Sequence, residues 1–320
     1  MPHLFLALTA DEAAGGPRAK AVVLHDAEDL VHPLELRLFD RLAERAALVQ
    51  LPVLPLTDPN SRWISGHYAD EFAESHIKEL VVREAVGAAI PLAGVGCAIE
   101  RSALDRLAAA HEGTPFAASS LTEDYELGLR LGALGLKTMF VRLPATPGSR
   151  AVVASRSHFP ADVYAAVRQK ARWIGGIALA GWDRLGWSGG LGERWMRMRD
   201  RRGPLAALLL VAGYAALILW LQIGLAAALG AQIAFTPSPL LAALLTLNLW
   251  LLGWRILMRF SFTAAAYGFG EGLRSIPRIL VGNLVAILAA RRALSLHEAG
   301  GPQRWDKTHH IFPAGEAVVR

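Results

Sequence analysis

One cysteine in 320 residues excludes any intramolecular disulfide, so Cys97 leaves the fold to packing alone and suits a reducing compartment. Charge is also scarce. Charged residues make up 19% of the chain, below the usual quarter, while hydrophobic residues reach 53% and mean hydropathy is +0.32. That balance excludes an ordinary soluble enzyme. The first residues, Met1–Leu8, lack a basic leader and are too short an apolar stretch for a signal peptide. No aromatic-interleaved basic motif occurs, so a net charge of +5 and an isoelectric point of about 9.6 do not indicate nucleic acid. The arginines instead flank apolar runs, as cytoplasmic membrane-proximal segments do. Internal repeats and low-complexity tracts are absent.

What is present divides near Gly203. Residues 1–180 alternate short apolar runs with helical patterns, which predicts an α/β domain. Ala21–Leu24 reads as a buried strand running into the acidic stretch HDAED at 25–29. Pro33–Ala46 reads as a helix with proline in its first turn. A second strand is expected over Leu48–Leu56, placed at an edge or ended early by Pro52 and Pro55. Helical patterns cover Tyr68–Val86, a short stretch from Ser102, Tyr125–Leu134 and Val163–Ala180, with further strands at Gly94–Ile99 and Lys137–Arg142.

Residues 181–203 mix Trp182, Trp187 and Trp195 with Arg197, Arg199, Arg201 and Arg202, which reads as an interfacial linker, a solvated loop being the plainer alternative. Leu205–Gly230 is nearly continuous apolar sequence with Gln222 its one strongly polar member. As a helix it exceeds the roughly 30 Å of a hydrocarbon core. A second span runs over Leu240–Met258, giving two transmembrane helices within 204–260. The intervening Ala231–Pro239 holds no Lys or Arg, so both outer ends are expected in the cytoplasm. Ile279–Ala290 is apolar over only about 12 residues, fewer than the roughly 17 a crossing needs. With Arg274 and Arg278 before it and Arg291 and Arg292 after it, 261–293 reads as an interfacial or re-entrant helix, and 294–320 as a cytoplasmic tail.

Three stretches carry candidate chemistry. Asp26 and Glu28 stand two apart on the loop leaving a parallel strand, where two carboxylates can converge on one Mg²⁺ or Mn²⁺ and leave positions for diphosphate oxygens. The plain alternative is an acidic loop or a helix cap. Glu123 and Asp124 open a helix; Ser120 with Glu123 fits a capping box, and Thr122 could also cap. Read functionally, Asp124 is a base for an acceptor hydroxyl, held ionised by the helix start. Gln169, Arg172 and Trp173 lie together on a helix, where a guanidinium suits a diphosphate and an indole suits a sugar ring. The alternative there is an interfacial helix with a snorkelling arginine and an anchoring tryptophan.

Taken in order, a strand with DxE, then TED, then QKARW, then paired apolar spans, the chain resembles the processive branch of family 2 glycosyltransferases, which includes cellulose, hyaluronan and chitin synthases. The finer match is similar to the bacteriophage adsorption protein B group of bacterial inner-membrane proteins. It rests on VVLHDAEDLVHPLELRLFD, YADEFAESHIKELVVRE, LAGVGCAIER, LTEDYELGLRL, VRQKARWIGGIALAGW and RWDKTHHIFP, and covers roughly residues 20–312. The resemblance implies a GT-A-like, Rossmann-like α/β catalytic domain followed by a helical transmembrane region. It also implies an inverting transfer from a nucleotide sugar, expected to be a UDP-sugar, to a saccharide acceptor, in envelope or exopolysaccharide synthesis. In this mapping Asp26 and Glu28 bind the metal–diphosphate, Asp124 is the base with Glu123 beside it, and Gln169, Arg172 and Trp173 hold acceptor and diphosphate. Gly94, Gly96 and Cys97 then lie near the acceptor. Membrane lipid is an implied partner, and the resemblance leaves room for an outer-membrane export or receptor partner; nucleic acid is not one.

Two departures stand out. Glu28 replaces the usual second Asp, lengthening that arm by a methylene. Only Met1–His25 precede Asp26, so the first βαβ part that holds the nucleotide is expected to be missing, with poor donor binding as the consequence. A degenerate, non-catalytic scaffold or receptor component is therefore the rival expectation. His25, His67, His76 and His158 lack metal-ligand spacing and are read as structural or solvated, as is the pair His309–His310.

Overall fold

The computed structural model describes residues 2–111, 113–116, 120–232, 237–300 and 313. The pair His309–His310 and all of RWDKTHHIFP but Pro313 lie outside them. In chain order the α/β region holds α1 (Pro2–Ala13), β1 (Ala21–Leu24), α2 (Glu35–Leu42), β2 (Leu48–Gln50), α3 (Ile64–Glu74), α4 (Leu80–Ala85), β3 (Cys97–Glu100), α5 (Arg101–Ala110), α6 (Glu123–Ala133), β4 (Thr138–Phe140) and α7 (Val163–Ile174). A π-helical turn, Ser75–Glu79, joins α3 to α4, and another, Gly175–Ala180, joins α7 to α8 (Gly181–Leu185).

The sheet runs β1-β3-β2-β4. Strand β3 is antiparallel to both β1 and β2, whereas β2 and β4 are parallel. The expected parallel sheet is thus a mixed one, because the chain returns through the 86–96 turn to enter β3 from the opposite end. Leu24 and Gln50 both pair with Cys97, so the exits of β1 and β2 and the entry to β3 meet at one end of the sheet. That end carries the site. Strand β2 stops at Gln50, ended early by Pro52, and sits inside the sheet rather than at its edge; Val53 makes only an isolated bridge to Ser155.

Alternation along the strands separates two cores. Leu48, Cys97 and Ile99 pack with Leu104, Leu107, Leu127 and Leu131 from α5 and α6. Val49 and Ala98 face the other way, onto Phe39 of α2 and Val153.

Residues 181–203, expected to be a linker, are largely helical: α8 is followed by α9 (Leu191–Arg201). Arg201 lies over Trp182 and Trp187, 5.5 and 4.6 Å from their ring centres. Three long apolar helices follow, α10 (Gly203–Ala228), α11 (Pro239–Tyr267) and α12 (Phe269–Glu298), each long and apolar enough to cross a membrane. The short apolar stretch at 279–290 is therefore only the middle of a 30-residue helix. Its length was hidden because Arg274 and Arg278 read as flanking charges. Arg278 is instead buried, with Nη2 2.9 Å from Asp70 Oδ1 and 2.9 Å from Glu271 Oε2. Thr263 of α11 also donates to Asp70, at 3.3 Å, and Tyr267 donates to the Pro55 carbonyl at 2.9 Å. The acidic face of α3 thus docks the C-terminal part of α11 and the N-terminal part of α12 onto the α/β region.

Candidate active site

A cavity of about 300 Å³ opens at the shared end of β1, β2 and β3, and three distant stretches of sequence converge on it. The loop after β1 supplies Asp26 and Glu28. Its shape is fixed from below. The ring of His25 lies 3.1 Å from Asp29 Oδ2 through Nδ1 and 2.6 Å from Glu35 Oε1 through Nε2. Burial opposes the charged ring, yet the hydrogen bonds it donates to both carboxylates outweigh burial and push the pKa up to about 9, so His25 is an imidazolium at neutral pH. Asp29 also accepts the N–H of Asp26 at 3.0 Å. His25 thus braces the loop that carries Asp26 and Glu28.

Glu123 and Asp124 enter from the first turn of α6. The capping box does not form: Ser120 Oγ donates instead to Glu126 Oε1 at 2.6 Å and accepts the Thr122 N–H at 3.2 Å. Thr122 holds the N-cap position without a side-chain bond. The helix start, expected to hold Asp124 ionised, is not the only influence on its charge. Burial dominates and pushes its pKa up to about 6, against the Tyr125 N–H and the Arg172 guanidinium, which favour the carboxylate. It remains mostly ionised at pH 7 but close enough to neutrality to take a proton. Burial raises Glu123 as well.

Gly94 forms the wall facing Asp124. Its φ is +83°, and a Cβ there would stand 2.7 Å from Asp124 Oδ2. Val95 and Ala93 complete that wall. Gly96, at φ +61°, and Cys97 lie behind it in the sheet; Cys97 is fully buried, and burial pushes its thiol pKa up. These two support the wall rather than touch the cavity.

Helix α7 begins at Asp162, which accepts the Ala165 N–H at 2.9 Å, and presents Gln169, Arg172 and Trp173 to the cavity. Gln169 Oε1 is buried with no hydrogen-bond partner among the described residues. Trp173 stands edge-on to Tyr68, ring centres 6.2 Å apart, and 6.3 Å from Phe72. The alternating members of the motif face elsewhere: Lys170 pairs with Glu71, its ammonium 5.1 Å above the Tyr68 ring, and Ala171 packs on Ala289 and Ala293 of α12. One helix therefore serves the cavity with one face and docks α3 and α12 with the others.

The cavity also takes Phe72, Ser157, His158 and Phe159. Phe72 was read only as part of a helical pattern, His158 only as a structural or solvated histidine, and Ser157 and Phe159 carry no spacing signal. Phe72 and Phe159 pack against each other, ring centres 4.7 Å apart and planes tilted by 55°, so the lining combines aromatic rings with carboxylates. Such a site can bind a sugar by its ring faces and a diphosphate by charge.

An acid pair below a strand, a buried carboxylate at a helix start and a glutamine–arginine–tryptophan face thus meet around one cavity. The model for glycosyl transferase family group 2 matches residues 21–289, and the chain belongs to that family. It is 36% identical to bacteriophage adsorption protein B of Escherichia coli K12, and equally to bacteriophage N4 adsorption protein B of Escherichia coli O157:H7, over 96% of its own length. It spans 44% of the length of those relatives, less than half.

Proposed function

We propose that the protein is an inverting glycosyltransferase that moves a sugar from a UDP-sugar to a growing saccharide at the cytoplasmic face of the bacterial inner membrane, in envelope or exopolysaccharide synthesis. One observation carries this reading: Asp26, Glu28, Asp124, Gln169, Arg172 and Trp173, spread over almost 150 residues of sequence, line a single cavity. In the reaction the acceptor hydroxyl attacks the anomeric carbon as the bond to the diphosphate breaks on the opposite side, converting an α-linked donor into a β-linked product. Asp124 takes the hydroxyl proton; with a pKa of about 6 it is deprotonated and ready at pH 7. Gln169 and Trp173 orient the acceptor ring, and the Arg172 guanidinium faces the diphosphate.

Asp26 and Glu28 are the residues that would hold Mg²⁺ or Mn²⁺. Among the described residues no group of three His, Cys, Asp or Glu is placed to hold a metal. Two cavity-facing carboxylates suit an ion that takes its remaining ligands from diphosphate oxygens and water. Asp29 and Glu35 are engaged by His25. When bound, the ion offsets the charge developing on the leaving diphosphate.

The membrane reading is supported by α10 and α11, whose large side chains are broadly exposed, as lipid-facing helices require. Helix α12 is proposed to lie at the inner interface, because Val285 and Ala289 pack on α3 and α7.

A screen of UDP-sugars against the purified chain in lipid nanodiscs tests the function. Mg²⁺- or Mn²⁺-dependent release of UDP with at least one donor is expected; no release with any donor would favour the second reading. The name of the relatives, which speaks of bacteriophage adsorption, motivates that reading: a family 2 domain kept as a membrane scaffold or receptor component.

A further inference from the structure

The turn that carries Asp124 is gripped from behind. Tyr125, the next residue, is buried, and its hydroxyl donates to Asp200 Oδ2 at 2.7 Å. Asp200 stands in the last turn of α9, two residues before Arg202, where α10 begins. The same carboxylate accepts two hydrogen bonds from Arg83 Nη1, at 3.0 and 2.8 Å. Arg83, itself buried, also donates from Nε to the Ala89 carbonyl at 2.6 Å. The residue after Tyr125 is held by the same segment: Glu126 Oε1 lies 3.3 Å from Arg184 Nε of α8. On the far side Thr122 abuts Gly176, where a Cβ would collide with the threonine side chain.

Charge balance alone does not call for this arrangement. Arg83 and Asp200 neutralise each other without help, yet the pair is placed so that the carboxylate also receives the hydroxyl adjoining the base. A base must be held to well under an ångström to work, since a shift of about 1 Å costs on the order of a hundredfold in rate. None of Tyr125, Asp200 or Arg83 lines the cavity itself. We propose that Asp200 is a positioning residue: through Tyr125 it fixes the first turn of α6 and the Asp124 carboxylate, and it ties that carboxylate to the helix that leads into α10. The proposal rests on Asp124 being the base.

Tyr125→Phe is the decisive variant, because it removes one hydrogen bond and keeps the Arg83–Asp200 pair. In the full chain in nanodiscs, with whichever of UDP-glucose and UDP-N-acetylglucosamine the wild type uses, kcat should fall roughly tenfold while donor KM stays within about twofold. The limb of the kcat–pH profile set by Asp124 should move by about half a unit or more. Asp200→Asn should lower kcat further, and adding Tyr125→Phe to it should cost nothing more, as members of one unit behave. An unchanged kcat and pH limb in Tyr125→Phe, or additive losses in the double variant, overturns the proposal. If Asp200→Asn does not fold, Tyr125→Phe alone decides. A wild type that turns over neither donor counts against the proposed function, and hydrogen exchange across 121–130 then decides the clamp. Exchange roughly tenfold faster in Tyr125→Phe supports it, and unchanged exchange overturns it.

Discussion

Asp124 combines burial, which raises its pKa to about 6, with a neighbouring arginine that keeps it from rising further. The sign of the pH dependence follows. The working form is the carboxylate, so kcat should be level above pH 7 and fall as pH drops through about 6, approaching tenfold per unit below it. A profile flat from pH 7 to 5 would contradict this assignment. Gly94 makes a second residue-scale prediction. Its positive φ and its closeness to Asp124 Oδ2 leave no room for a methyl group. Gly94→Ala should therefore lower kcat by tenfold or more through displacement of the base, with the protein still folded by circular dichroism. That Asp26, Glu28 and Asp124 follow a strand or open a helix, and that Gln169, Arg172 and Trp173 share one helix, was legible in the sequence, and the fold brings all six to one cavity. His158 and Phe72 were not legible as site residues, since only the tertiary fold brings them to the cavity.

At the scale of elements, the joint between the α/β region and the apolar helices is the buried Arg278–Asp70 contact. Arg278 fills the space above Gly66, where a Cβ would overlap its guanidinium, and reaches Asp70 at 2.9 Å. Removing one partner of such a pair leaves a buried charge and typically costs about 3–5 kcal/mol. Arg278→Met should accordingly destabilise the protein by about that amount, and Arg278→Met with Asp70→Leu should recover much of the loss. Denaturation in nanodiscs would check this; equal losses in single and double variants would contradict it. This joint was invisible in the sequence because an arginine beside an apolar stretch looks the same whether it faces headgroups or a buried aspartate. The antiparallel β3 was hidden for a similar reason: periodicity marks a strand but not its direction. Helices α3 and α7 were read well, apart from their π turns, because their apolar positions recur at helical spacing over three turns or more.

For the whole molecule, charge asymmetry and architecture make a topological prediction. Cys97 is buried, so an introduced cysteine reports its own exposure. Ser238→Cys, at the hairpin between α10 and α11, should react with an impermeant maleimide in spheroplasts, and Ser295→Cys, near the end of α12, should react only after lysis. Labelling of Ser295→Cys from outside would mean that α12 crosses. The cavity belongs to the same picture, since α12 packs on α7, the helix that carries Gln169, Arg172 and Trp173. Sugar transfer at this cavity with Asp124 as base is tested most directly by comparing UDP release and UDP-sugar binding in the wild type and Asp124→Asn, side by side in nanodiscs. Asn keeps the size of the side chain but cannot take the proton, so release should fall by a hundredfold or more while donor affinity changes little. Retention of more than about a tenth of wild-type turnover by Asp124→Asn would mean that Asp124 is not the base.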